Sequence, residues 1–363
     1  MAGTHRARAP DETLAYARGF MRQLGITRLA NLTGLDCLGV PVYAAIRPNG
    51  KSLSTSQGKG LDDASAAASA LMESIETWHA ENVRSATRRG APRALRDTLP
   101  LVDVRQLPRA SEGALDLSAP LEWVEGWDLM RQQPVWVPLE SVTLDCVVRR
   151  DHQPVFDVSS NGLASGNHLL EAISHGLCEV IERDAEARWR EARGQRRVAL
   201  ETVVDPANRS VLERIQAAGV HVTAWDITSD VGVPAYGVAL MEDPNEPAWR
   251  ALGMYQGFGC HLSPRIAFSR ALTEAVQTRL TYIAGSRDDF FPHDYARSTD
   301  LALLRPIWRD LTQPARGVVT RVDLREAPAQ DGPTFEADVT TLLTRLRAVG
   351  VRSVIVVELR SEE

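Results

Sequence analysis

The sequence predicts an α+β fold in which mixed sheets are combined with long carboxylate-bearing helices. Two observations lead to this prediction. Strand-like and helix-like patterns alternate along the whole chain, and three long helical segments each carry a pair of acidic or amide side chains at helical spacing. With 363 residues, of which 44% are hydrophobic and 24% charged, the chain can bury a full core. Because no long linker divides it, we treat residues 1–363 as a single domain.

The N-terminal part predicts two helices and a strand. Residues 11–25 carry apolar side chains at helical spacing behind Pro10, which indicates a first helix. The segment GVPVYAAIRP has the composition of a buried strand, and residues 54–60 are predicted as a loop. Residues 62–82 are rich in alanine and free of glycine and proline, so they predict a long helix.

The rest of the chain predicts further strands. Residues 121–144 alternate aromatic and polar side chains around a polar turn at 131–134, which indicates a β-hairpin whose tryptophans pack across the strands. The segments VHVTAWDIT and VPAYGVALME predict two more strands. The tail, FEADVTTLLTRLRAVGVRSVIVVEL, predicts a helix followed by a strand, the components of one α/β unit.

Charge and composition exclude several classes of protein. The net charge of −6 gives no general attraction to nucleic acid, and neither a signal peptide nor a membrane-spanning run of apolar residues is present. We therefore expect a cytoplasmic protein without a nucleic-acid or membrane partner. The four cysteines have no C-x-x-C spacing, so free thiols are expected.

Three segments of the chain share one arrangement. SALMESIETW begins at Ser69, HGLCEVIERD at His175 and RALTEAVQTR at Arg270, and each has a leucine followed by Glu-x-x-Glu or Glu-x-x-Gln. Each segment also follows a cluster of glycines. The sequence therefore predicts one structural device used three times.

The device places carboxylates on one side of each helix, because residues three or four apart share a face. Glu73 and Glu76 form one pair and Glu179 and Glu182 a second, while Glu171, eleven residues before Glu182, returns to nearly the same direction. Five carboxylates would repel each other unless a cation were present. An all-carboxylate set favours Mg²⁺, Mn²⁺ or Ca²⁺ over zinc or copper.

Phosphate often accompanies Mg²⁺, and the chain offers basic side chains for it. Lys59 lies between two glycines in SQGKG, although this segment lacks the spacing of a P-loop. Further cations that could face phosphate oxygens are Arg183, Arg270 and Arg279.

Two other kinds of site fit less well. Glu76 and His79 have the spacing of a di-iron carboxylate protein, but the required second Glu-x-x-His is missing. Cys178 with His175 as its base would need an oxyanion hole and a third orienting group. We therefore interpret Cys178 as a small buried residue, and each histidine taken alone as a capping or surface residue.

Four long segments together resemble the YcaO-domain family. They are GITRLANLTGLDCLGVPVYAAIRP, SQGKGLDDASAAASALMESIE, SNGLASGNHLLEAISHGLCEVIERDA and GFGCHLSPRIAFSRALTEAVQTRLTYIAGSRDD. The last segment, especially RALTEAVQTRLTYIAG, is similar to the branch that acts with a TfuA-type partner protein. The resemblance covers almost the whole chain and implies a YcaO-like ATP-binding fold.

The resemblance implies an ATP- and Mg²⁺-dependent enzyme that activates a backbone amide of a ribosomally made precursor peptide or protein by phosphorylating the amide oxygen. The TfuA-associated branch implies a thioamide product, formed with a sulfide donor. Two alternatives stay open: a cyclodehydratase that forms azolines, and a non-catalytic YcaO-like scaffold that binds peptide.

The resemblance also implies roles for individual residues. The residues that match positions holding Mg²⁺ and the ATP phosphates are Glu73, Glu76, Glu171, Glu179 and Glu182. The residues that match nucleotide-binding positions are Ser69, Asn161 and Arg183, with Lys59 in the matching glycine loop, and Arg6 and Thr13 as the basic residue and hydroxyl near the N-terminus. Arg270, inferred above from its charge and helical spacing, completes the expected nucleotide-binding set. Glu179, Glu182 and Arg183 form the expected catalytic set.

The end of the chain departs from the family pattern. Related proteins usually continue past a strand such as VIVVEL, so a C-terminus that is shortened is expected, and the proline-rich end of azoline-forming members is absent. With no recognisable leader-binding module, peptide delivery is expected to need the partner protein. A homodimer is compatible with the sequence.

Overall fold

The computed structural model describes residues 5–110, 114–147, 154–192, 195–314 and 319–359. The helices in these ranges are α1 (Pro10–Arg18), α2 (Asp63–Glu81), α3 (Pro92–Leu95), α4 (Leu169–Glu191), α5 (Pro206–Ala217), α6 (Pro264–Ala284), α7 (Pro292–Ser298), α8 (Leu301–Thr312) and α9 (Phe335–Ala348). The strands are β1 (Arg28–Asn31), β2 (Val42–Ile46), β3 (Thr55–Lys59), β4 (Thr87–Gly90), β5 (Leu121–Asp128), β6 (Gln133–Pro138), β7 (Gln195–Val198), β8 (His221–Asp226), β9 (Ala235–Met241), β10 (Tyr255–Cys260), β11 (Val319–Val322) and β12 (Ile355–Val356).

The strands form three sheets. One has the order β1-β2-β3 and a second the order β10-β9-β8-β7-β11, while in the third β5 pairs with β4, β6 and β12. The pairing of β11 with β7 is parallel, and the other ladders between these strands are antiparallel. This mixture of sheets and long helices confirms the predicted α+β class.

Several local predictions are confirmed. The predicted helix at 62–82 is α2, the hairpin at 121–144 is β5 and β6, and the two predicted strands that follow are β8 and β9. Trp123 and Trp136 are buried as cross-strand packing requires, whereas Trp127 is 46% exposed. The tail does form a helix and a strand, but β12 pairs antiparallel with β5 in another sheet and does not complete a local α/β unit.

One predicted helix boundary and one predicted element type are wrong. The predicted helix at 11–25 ends at Arg18, because the chain turns at Gly19 and again at Gly25, which has a positive φ of 71°. The predicted loop at 54–60 is largely strand β3. Its sequence, TSQGK, lacks the apolar alternation that usually indicates a strand. The strand is buried because α2 packs closely over it, and its polar groups are bonded by α6, where Gln277 donates to the carbonyl of Gln57 at 2.9 Å.

The repeated sequence device is a repeated structural unit. Strands β1, β2 and β3 form an antiparallel meander followed by α2, and β8, β9 and β10 form a second meander followed by α6. A Cβ atom on Gly58 would lie 1.9 Å from the nitrogen of Ala70, and one on Gly259 would lie 2.5 Å from that of Ala271. In both units the helix therefore rests directly on the backbone of the last strand.

Helix α4 is capped at its N-terminus like α2, but the described residues 154–168 that precede it contain no strand. Its N-cap is His168, whose Nδ1 accepts a hydrogen bond from the N–H of Leu170 at 3.2 Å, and the equivalent N-cap of α2 is Asp62. In place of a strand glycine such as Gly58, the loop glycine Gly166 makes the close contact with the helix, since a Cβ atom there would lie 2.8 Å from the nitrogen of Ala172. The three helices thus share one pattern of close contacts at their N-terminal ends.

Candidate functional site

A cavity of about 780 Å³ lies between α2, α4 and α6, a volume typical of a small-molecule site. Eleven of the twelve residues expected at the site line it: Arg6, Thr13, Lys59, Ser69, Glu73, Glu76, Glu171, Glu179, Glu182, Arg183 and Arg270. Sequence positions 165 or more residues apart, such as Arg6 and Glu171, therefore meet in one site.

The three helices contribute equivalent positions to this cavity. In each helix one residue lies a turn before the Glu-x-x-Glu or Glu-x-x-Gln pair, and this residue and both members of the pair line the cavity. The three sets are Ser69, Glu73 and Glu76 on α2, His175, Glu179 and Glu182 on α4, and Arg270, Glu274 and Gln277 on α6.

Three carboxylates on α2 and α4, those of Glu73, Glu76 and Glu182, have raised pKa values because too little positive charge lies near them to offset their burial. Burial, followed by the neighbouring Glu76, raises the pKa of Glu73 to about 8. Burial raises the pKa of Glu76 to about 7, even though the N–H and hydroxyl of Ser165 both donate to its Oε1, at 2.9 and 2.6 Å. Burial and then Glu274 raise the pKa of Glu182 to about 7. A bound cation would stabilise the ionised forms of all these groups.

Basic side chains adjoin the carboxylates. Nζ of Lys59 lies 2.5 Å from Oε2 of Glu274, which joins β3 to α6 across the cavity. Burial pushes the pKa of Glu274 up, but Lys59 and other hydrogen-bond donors bring it below its ordinary value. The guanidinium of Arg270 donates to the carbonyl of Cys260 at 3.2 Å, and Arg183 lies 3.5 Å from Glu186.

The N-terminal segment forms part of the cavity wall through Glu171. Nη1 of Arg6 donates to Oε1 of Glu171 at 3.1 Å, and the N–H of Ala7 donates to Oε2 at 2.9 Å. The hydroxyl of Thr13 donates to Oδ1 of Asn167 at 3.0 Å. The basic residue and the hydroxyl that were predicted near the N-terminus are thus both brought to the site.

Asn161 and Arg279 are placed differently from the sequence-based expectation. Asn161 is exposed and is not part of the cavity lining, and its N–H bonds to the hydroxyl of Ser159 at 3.1 Å. Arg279, predicted to face phosphate, is fully buried between Asp36 and Glu242, each at 2.7 Å. Arg279 follows Arg270 by nine residues on α6, and at about 100° per residue this places the two side chains on opposite faces of the helix. Helical spacing is therefore the signal that separates Arg279 from the cavity-facing Arg270.

Other side chains of the cavity were missed or interpreted otherwise. Glu274 lines the cavity although it is not among the residues predicted for the site, and its place in the threefold sequence pattern is the signal that indicates this position. His168 is a capping residue as expected, but His175 lines the cavity. Cys178 is buried as expected, against Cys260, and Asp184 is a surface partner of Arg188 at 3.0 Å.

The donor chemistry of the site fits Mg²⁺. Within the part of the chain that the structure describes, no three His, Cys, Asp or Glu side chains come together closely enough to hold one metal ion. Mg²⁺ does not need such a cluster, because it usually retains water and binds through one or two carboxylates together with substrate phosphates. The buried carboxylates with raised pKa values supply such ligands, and the adjoining arginines and lysine match phosphate.

Among the described residues, no helix combines the length and the apolar character that crossing a bilayer would require.

Comparison with known proteins adds a family context. A sequence model of the YcaO cyclodehydratase family, described as binding ATP and Mg²⁺, matches residues 57–363. An uncharacterized protein from the tfuA 3′ region of Rhizobium leguminosarum bv. trifolii is 35% identical, over 97% of this chain and 84% of its own length.

Two solved structures are similar over 99% of the chain. YcaO from Methanopyrus kandleri, bound with AMPPCP and Mg²⁺, has a TM-score of 0.74 and 25% identity, and 89% of its chain is covered. A heterocyclase in complex with substrate and cofactor has a TM-score of 0.83 and 23% identity, and this chain spans about half of it, 51%. The second likeness concerns the fold alone.

Proposed function

Since the chain belongs to the YcaO family, whose cofactors are ATP and Mg²⁺, we propose that it activates a backbone amide of a ribosomally made peptide or protein in the cavity between α2, α4 and α6. The observation that carries this proposal is the convergence of three equivalent helices on one cavity that combines buried carboxylates with basic side chains. Phosphoryl transfer depends mainly on positioning and charge neutralisation, and this combination provides both.

Each group of residues has a distinct task in this proposal. Bound Mg-ATP supplies the phosphoryl group that converts the amide oxygen into a leaving group. Glu73 and Glu76 on one wall and Glu179 and Glu182 on another offer oxygen ligands to Mg²⁺. Arg6, Arg183, Arg270 and Lys59 offset the charge of the phosphates.

Glu171 acts as an anchor for the N-terminal segment. Its two oxygens bind the guanidinium of Arg6 and the backbone of Ala7, so Arg6 is held at the cavity instead of moving freely in solvent. In this arrangement Glu171 contributes to phosphate binding indirectly, by positioning Arg6. If Arg6 were released, the carboxylate of Glu171 would become available as a further metal ligand.

We favour a thioamide as the product, with a sulfide donor and a TfuA-type partner protein. The relative from a tfuA 3′ region supports this choice. The description of the matching family as cyclodehydratases supports the alternative of an azoline. Mass spectrometry of the peptide separates the two, since exchange of oxygen for sulfur raises the mass and cyclodehydration lowers it by one water.

Reconstitution with a precursor peptide, ATP, a sulfide source and the partner protein tests the proposal. We expect ADP formation that depends on peptide, and we expect Glu182→Gln to abolish it while the fold is kept. Glu191→Gln, an exposed change near the end of the same helix, is the matched control and should retain activity. Equal ADP formation by the Glu182→Gln and wild-type proteins would refute the assignment of the site.

A scaffold without catalysis is distinguished by nucleotide binding. A ligand at 100 times its Kd adds about 2.7 kcal/mol to the free energy of unfolding. We expect millimolar Mg-ATP to raise the thermal midpoint, and no shift would favour the scaffold. A cytoplasmic location remains a prediction.

A further inference from the structure

His175 occupies a position in the cavity that the function proposed above does not use. It lies one turn before Glu179 on α4, and the residues at the same position of the other two helices are Ser69 on α2 and Arg270 on α6. All three side chains line the cavity. The threefold pattern therefore places His175 in the same layer as two residues whose side chains are suited to bind phosphate.

The imidazole of His175 lacks a hydrogen-bond partner on its Nδ1. This atom is buried, and no side chain or backbone group of the described residues bonds to it. A buried polar atom without a partner is uncommon in native proteins, and a site that binds a ligand is one setting in which it occurs. The ring orientation is accordingly not fixed at that atom by the protein itself.

The surroundings of His175 keep the ring uncharged. The pKa of His175 is held well below its usual value, chiefly by burial and then by the positive charges of Arg270, Arg6 and Lys59. A fourth cation beside these three would be costly. An uncharged imidazole can still donate one hydrogen bond to an anionic oxygen.

We propose that His175 is a nucleotide-contacting residue whose neutral imidazole donates a hydrogen bond to a phosphate oxygen of the bound nucleotide. The same cations that keep the ring neutral are those that face the phosphates, so the ring and the phosphates share one region of the cavity. This inference rests on the proposed function, because it requires the cavity to bind a nucleotide.

Binding measurements without turnover test the inference. Isothermal titration calorimetry gives the Kd of a non-hydrolysable ATP analogue with Mg²⁺ and, separately, the Kd of adenosine, which has no phosphate. We expect His175→Ala to raise the Kd of the analogue roughly tenfold to hundredfold, the range for a hydrogen bond to a charged acceptor, and to leave the Kd of adenosine unchanged.

His79→Ala is the matched control. His79 is on α2, also has a buried Nδ1 without a partner among the described residues, and is not part of the cavity lining. Both Kd values should remain those of the wild type. If the alanine variant does not fold, His175→Asn and His175→Gln keep a polar side chain at this position. Binding restored by asparagine identifies Nδ1 as the donating nitrogen, and binding restored by glutamine identifies Nε2.

The outcomes separate this inference from the proposed function. If the wild type does not bind the analogue, the proposed function fails and this inference fails with it. If the wild type binds and no His175 variant weakens the analogue, the inference alone is overturned. It is also overturned if the variants weaken analogue and adenosine equally, since that result indicates a structural role.

Discussion

Replacement of Glu73 by glutamine should remove a measurable part of the pH dependence of stability in the metal-free protein, to which Glu76 and Glu182 also contribute. Burial and the neighbouring Glu76 raise the pKa of Glu73 from 4.5 to about 8. The folded protein therefore keeps this proton up to about pH 8, whereas the unfolded chain releases it near pH 4.5. The contribution to stability is complete below the lower value and is lost as the pH rises through the higher one.

The size of the effect follows from the two pKa values. Between about pH 5.5 and 8, Glu73 alone should lower the free energy of unfolding by about 3 kcal/mol, at 1.36 kcal/mol per pKa unit. Equilibrium denaturation with urea in the presence of a chelator measures this difference. Glu73→Gln should reduce the pH-dependent loss by about that amount.

Two controls define the result. Glu213→Gln, an exposed change on α5, should leave the pH dependence as in the wild type. Addition of Mg²⁺ should stabilise the wild type more at pH 8 than at pH 5.5, because the ionised carboxylate is the form that binds a cation. If Glu73→Gln loses as much stability over this pH range as the wild type does, our account of the buried carboxylates is wrong.

Two further predictions concern the scaffold of the site, both measured by equilibrium denaturation. Gly259→Ala should destabilise the protein by about 3 kcal/mol, because the new Cβ would lie 2.2 Å from the carbonyl oxygen of Ala267, whereas Gly34→Ala, with no atom within 4 Å, should change stability by less than about 1 kcal/mol. Arg47→Met should cost about 3 kcal/mol, because it removes the ion-pair partner of the fully buried Glu81 and leaves that carboxylate with the N–H and hydroxyl of Ser52 as its donors. A smaller loss than for the exposed Arg209→Met would contradict this.

The elements with strong local patterns were predictable from the sequence. Helix α2 differs from its predicted bounds by one residue at each end, because a long run without glycine or proline specifies a helix locally. Strand β3 was not predictable, since its polar residues are buried by tertiary packing against α2, which follows it directly, and against α6, which lies far from it along the chain. Local pattern thus fails where tertiary packing determines the structure.

The same division holds for the site. Helical spacing could show that Glu179 and Glu182 project together, but not that α2, α4 and α6 face one cavity. The pairing of Lys59 with Glu274 joins residues from the two meander units, and no periodicity in either segment encodes it. Arg279 shows a different error, since its position nine residues after Arg270 already places it on the opposite face of α6, where it enters a buried ion-pair network.

The direct contact of α2 and α6 with the backbones of β3 and β10 fixes how far each helix lies from its own sheet. At Gly58 and Gly259 the distance between helix and strand is determined by main-chain atoms, whose size is the same in every protein. Larger side chains elsewhere in the core can therefore be exchanged without lifting either helix from its own strand. The height of Glu73 and Glu274 above their sheets is in this way determined by the peptide backbone.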